Sequence, residues 1–136
     1  MREFIKTHKQ KGLIKEENIG FDQVVRHVAR ASKDLRVASA NLKIDSEAAY
    51  TYAYLAMLRT GRALMFSYGY RPTDGEQHKT VVAFCSHVLG REFSEVVTYF
   101  DAARKKRNRF TYDDAGLMVS ETETENVLRE AKEFVK

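Results

Sequence analysis

The sequence has little in it that would break or bridge the chain. Cys85 is the only cysteine in 136 residues, which excludes an intramolecular disulfide and makes a reducing, cytoplasmic setting the expectation. Pro72 is the only proline, so few hard breaks are written in. No window approaches the roughly eighteen uninterrupted apolar residues of a membrane span. Residues 1–6 lack the apolar run of a signal peptide. There is no internal repeat, no low-complexity tract and no sustained strand alternation. Gly61 and Gly69 are isolated, so no glycine-rich phosphate loop exists. His27, His78, Cys85 and His87 form neither a Cys-x-x-Cys nor a His-Glu-x-x-His spacing, so neither metal nor cofactor is expected. Cys85, between Phe84 and Val88, reads as a buried structural thiol, and His78 as a brace for the turn before its helix.

What is present is helical rhythm. The length suits one domain covering residues 1–136, with a real core. Residues 1–18 are basic and weakly periodic and read as a short N-terminal helix or arm, which Phe4, Ile5, Leu13 and Ile14 would dock. Phe21, Val24, Val25, Val28, Ala31, Leu35, Ala38 and Leu42 follow the three-four spacing of an amphipathic helix. A second helix begins at Asp45 or Ser46, with Glu47 in its first turn. It is apolar around most of its circumference and belongs at the centre. Gly61 within it predicts a close helix contact, because an interior glycine otherwise costs roughly 1 kcal/mol against alanine.

Gly69 and Pro72 end that helix, and residues 70–75 read as the clearest loop. A third helix over 76–89 closes at Gly90. A fourth opens at Arg91 or Glu92 with the stripe Phe93, Val96, Val97, Phe100 and Ala103. Residues 113–119 read as a loop, Ser120 with Glu123 has capping-box spacing, and a last helix spans about 121–135. Short connections favour antiparallel neighbours. The class is all-α, an antiparallel bundle of four main helices plus a short N-terminal helix or arm. The tyrosines at 50, 52, 54, 68 and 70 are read as packing residues.

The net charge is +4 and the pI about 9.2, and the excess is clustered. Arg104, Lys105, Lys106, Arg107 and Arg109 follow directly on the fourth helix's apolar stripe, and Phe110, Thr111, Tyr112, Asp113 and Asp114 follow them. At about 100° per residue, Arg107 falls about 20° from Phe100, along the packed face. Asn108 is close in phase to Val97, and Tyr112 lies one turn beyond Asn108. Lys105, Lys106 and Arg109 point elsewhere, where they stay solvated. A guanidinium at 107 is suited to phosphate or carboxylate if a cleft or second subunit covers it; otherwise it caps the helix end or pairs with Asp101, Asp113 or Asp114.

From roughly residue 20 onward the chain resembles the HEPN superfamily of small helical domains. The likeness rests on the second helix (Ala48, Ala49, Tyr50, Tyr52, Leu55 through Gly61, Arg62, Ala63 and Leu64), the turn Gly69-Tyr70-Arg71-Pro72, His78, and the closing Arg107-Asn108. The resemblance places Arg107 and Asn108 at the first two positions of the family signature. It puts Tyr112 where a histidine is usual. In ribonuclease members, arginine and histidine from two subunits meet in a dimer cleft and cleave RNA without metal. Tyrosine, with an unperturbed pKa near 10, is a poor proton acceptor near neutral pH.

The resemblance therefore implies a homodimer with the fourth helix near its two-fold axis. It implies an RNA- or nucleotide-binding, toxin-like partner of a minimal nucleotidyltransferase. Arg104, Lys105, Lys106, Arg107 and Arg109 would meet phosphate. The alternative it implies is a metal-independent endoribonuclease acting through Arg107, Asn108 and Tyr112. In some members the partner adenylylates a tyrosine two residues beyond the histidine. Asp114 stands there, so Tyr112 matches that chemistry but not that spacing.

Overall fold

A computed structural model of the chain describes residues 2–12, 14–16, 20–72, 77–112 and 121–135. Six α-helices lie among them: α1 Arg2–Gln10, α2 Phe21–Asn41, α3 Ser46–Ser67, α4 Gln77–Leu89, α5 Ser94–Tyr112 and α6 Glu121–Val135. The class is all-α. α1, at 9 residues, is the short N-terminal helix expected, and α6 occupies the residues expected of the last helix. The loop at 113–119 and the Ser120 cap lie outside the described residues. Among the described residues no helix is long and apolar enough to cross a membrane.

The centre is α3, as its all-round apolar sequence requires. Asp45 caps it, its carboxylate accepting from the Ala48 N–H at 3.1 Å. Tyr50, Ala53, Tyr54, Met57, Leu58 and Met65 are fully enclosed. Gly61 lies against both α4 and α5. A Cβ there would stand 2.5 Å from Val81 Cγ1, 3.1 Å from Cys85 Sγ and 3.5 Å from Phe100 Cε2. The missing side chain is thus the condition for three helices meeting, at the cost of helix propensity that glycine always carries.

Not every neighbour is antiparallel. His78 near the start of α4 lies beside Tyr54, Val81 and Cys85 meet Gly61, and Leu89 at its end shares a groove with Leu64 and Ser67. The chain therefore enters α4 in the same sense as α3. Gly69, whose φ is 86°, turns the chain out of α3 into the segment that follows. That segment begins with β2, Tyr70–Pro72, where the sequence predicted loop. It pairs antiparallel with β1, Ile14–Glu16, in the register Ile14↔Pro72, Lys15↔Arg71 and Glu16↔Tyr70. Strands of three residues are too short to show alternation, which is why the sequence conceals them.

The amino-terminal segment is docked. Ile5 and Ile14 are buried, and the Phe4 ring stands 5.9 Å from Phe84 and 4.8 Å from the His87 ring, stacked on the latter. Leu13 lies outside the described residues. In α2, Ala31 and Ala38 are buried, but the first part of the stripe is not: Phe21 is 78% exposed and Val25 48%. Asp34, in phase with Ala31 and Ala38, is buried and receives an N–H from Arg59 of α3.

Candidate phosphate-binding groove

The basic stretch begins inside α5, after two turns committed to packing. Val96, Phe100 and Ala103 are buried, and the helix then continues to Tyr112. Because the backbone stays helical that far, Asn108 and Tyr112 keep their one-turn spacing. The side chains of Arg107, Asn108, Arg109 and Tyr112 lie outside the described residues.

The three earlier cations divide by partner. Arg104 donates its Nε–H to Asp101 Oδ1 at 2.9 Å, with 16% of its side chain exposed. Lys105 reaches the other oxygen, Oδ2, at 3.2 Å and is 63% exposed, the solvated position expected of it. Burial pushes the Asp101 carboxyl up, but the hydrogen bonds and charges of Arg104 and Lys105 outweigh it and hold the group below its usual value. Lys106, expected in open solvent, is instead held by a partner. Its Nζ donates to Glu123 of α6 and lies 5.8 Å from the centre of the Tyr50 ring. It joins α5, α6 and α3. Tyr50 answers to the same arrangement: burial, and then the Glu123 charge, raise its phenol from 10.0 to about 12.

A groove of about 1050 Å³ runs between α4 and α5 and takes in two of these cations, Arg104 and Lys105. Between the cations it is lined by Val82, Ala83 and Ser86 of α4 and by Ser94, Val97, Thr98 and Ala102 of α5. Lys79 and Arg91 line it together with Arg104 and Lys105, against one acid among the described residues, Asp101. Sequence reading missed Lys79 and Arg91, which lie on α4 and on the 3₁₀ turn Arg91–Phe93. The available signal was a face rather than a run. Lys79, Val82, Ala83 and Ser86 recur at helical spacing, as do Ser94, Val97, Thr98, Asp101 and Lys105. Which faces meet is a tertiary fact.

The histidines and the cysteine have structural partners. The Tyr54 hydroxyl and His78 Nδ1 are hydrogen-bonded at 2.8 Å. Cys85 is fully buried, and burial raises its thiol from 9.0 to about 12, far from a nucleophile's range. Among the described residues no three His, Cys, Asp or Glu side chains converge as a metal would need. Compared with known proteins, the chain matches no family model, and no curated protein is significantly similar to it.

Proposed function

We propose that the chain is a HEPN-type helical domain that binds RNA or nucleotide phosphate along the α4–α5 groove and the basic end of α5. The observation that carries the reading is the charge around the groove. Lys79, Arg91, Arg104 and Lys105 face it, and the one acid there among the described residues, Asp101, already accepts from two of them. Phosphate entering such a site gains charge-assisted contacts and releases counterions. Small residues in the lining leave room for a backbone to approach. The sequence resemblance adds the biological frame: a homodimer with α5 near the two-fold axis, acting as the toxin-like partner of a minimal nucleotidyltransferase, with Arg107, Asn108 and Arg109 extending the site.

The test is binding of total RNA and of mononucleotides in EDTA at several salt concentrations, for the native chain, Lys79→Gln with Lys105→Gln, and Arg107→Ala. The expected result is affinity that falls with salt and weakens severalfold in both variants, with the RNA intact. RNA cleavage that disappears in Arg107→Ala would move the assignment to the metal-independent ribonuclease. Unchanged affinity in the Lys79 and Lys105 variant would remove the groove from the site.

A further inference from the structure

The first half of α2 carries an apolar seam that the bundle does not cover, and nothing in the proposed function uses it. Phe21, Val25 and Val28 are 78%, 48% and 37% exposed. They are spaced by four and three residues, and Ser32 and Leu35, both partly buried, continue the same spacing. That alternation is the seam of a helix packed lengthwise on another helix. The apolar surface does not end there. Val24 and Val28 also line a groove of about 340 Å³, shared with Leu64 of α3, Leu89 of α4 and Phe93. Single exposed apolar side chains are ordinary, whereas a stripe that runs into a groove marks an interaction surface.

The residues beside the seam indicate what covers it. On its solvent side, each directly after a seam position, stand Asp22, Ala29 and Arg36, spaced by seven residues and all exposed. In an antiparallel pair of helices, flanking positions of this kind face their own kind across the seam. Two copies of α2 crossing at Ala29 therefore set Asp22 of each against the partner's Arg36, once on either side of the two-fold axis. A parallel pair would instead set Arg36 against the partner's Ala31. The antiparallel alignment also staggers the seam. Phe21 lies over the partner's Ser39, Val25 over the partner's Leu35 and Val28 over the partner's Ser32, a large residue against a small one in two of three layers. The charges are available for this: the Arg26 guanidinium, one turn from Asp22, donates to the Asp22 main-chain oxygen at 3.4 Å. Arg26 and Lys33 themselves lie about 120–140° round the helix from the seam, away from the contact.

We propose that this face of α2 is a self-association surface on which a second copy of the chain docks its own α2, antiparallel and crossing at Ala29. The surface is separate from the α4–α5 groove and from the basic end of α5, and it does not depend on either reading. A chain that used both this two-fold and one at α5 would close into a tetramer or extend into a filament.

Sedimentation velocity of the full chain over a hundredfold range of concentration measures the association, and thermal melts report the folding of each variant. Val25→Asp, at an exposed position, should weaken self-association more than tenfold. Asp22→Arg and Arg36→Asp should each weaken it about tenfold, and the two combined should return it to within about threefold of the native chain, since both pairs are then restored with their signs exchanged. Ala29→Cys should be joined to its copy by a short bismaleimide, whereas Ala40→Cys, whose copies would stand about 30 Å apart, should not. Cys85 is buried and does not compete. If Val25→Asp does not fold, the charge exchange and the cross-link decide. A monomer at every concentration, charge reversals whose losses add, or equal cross-linking at 29 and 40 would each overturn the proposal. So would association that survives Val25→Asp and is lost in Arg107→Ala, which would assign the dimer to α5 alone.

Discussion

Two of the contacts that α3 makes with α5 are built on opposite principles. At Gly61 the contact exists because a side chain is missing, and Val81, Cys85 and Phe100 close over bare backbone. At Tyr50 the contact is made by long polar groups, with Lys106 bridging to Glu123 over the aromatic ring. The first is dry and has no slack. The second reaches solvent and can yield. Along α5 this separates architecture from chemistry: its first half is held by the core, and its second half is left to carry charge.

Substitutions that violate the tight contact should have the largest effect. Gly61→Val should cost about 3 kcal/mol or more in denaturant unfolding, since an overpacked core charges that much and β-branching adds to it. Gly61→Ala should cost about 1–2 kcal/mol, the overlap with Val81 exceeding the propensity gain of about 1 kcal/mol. Adding Val81→Ala to Gly61→Ala should recover part of the loss, and strictly additive losses would refute the contact as described. Asp34→Ala should cost about 2 kcal/mol by leaving the Arg59 charge without its partner, less than for a fully buried pair because Arg59 is 25% exposed.

Alkali probes both contacts at once. Cys85 beside Gly61 and Tyr50 beside Lys106 both have ionisations raised on folding, to about 12 from 9.0 and 10.0. Their protonated forms belong to the folded state. Their contribution is complete below pH 9 and is lost as pH rises through about 12, because the unfolded chain gives up its protons first. Stability should fall over that window, and Cys85→Ala should remove the part that begins near pH 9. A flat profile from pH 9 to 11 would contradict both burials.

The smallest effects belong to the polar contact. Lys106→Met should cost about 0.5–1 kcal/mol, and Lys105→Gln only a few tenths, because exposed ion pairs are worth little. The two should rank oppositely in polyanion binding. Lys105, exposed at the groove, should matter more there than Lys106, which is tied to Glu123. Equal binding losses would erase the distinction drawn between them.

Helix positions were legible because three-four spacing is a local property. The Asp45 cap, the packing role of Gly61, the stop at Gly69 and the buried Cys85 followed from the residues themselves. What eluded the sequence depended on partners distant in the chain. The phase of Asp34 put it on the buried stripe of α2, but the Arg59 that makes its burial tolerable is on another helix. Phe21 and Val25 have the apolar pattern of a core face, yet they extend beyond what covers it. Lys106 read as solvated because Glu123 could not be placed beside it. The groove's composition was in the sequence, while its existence required knowing that α4 and α5 face each other.

The pairing of β1 with β2 has a kinetic consequence. Its six residues close a loop that contains all of α2 and α3. Few hydrogen bonds reward that closure, so its entropy is recovered only after α2 and α3 have already drawn the ends together. The ribbon should then form late in folding and open first in hydrogen exchange, taking α1 with it. In that order of events the helical core is a folding unit in its own right, and the amino-terminal segment is a latch fastened once the unit is complete.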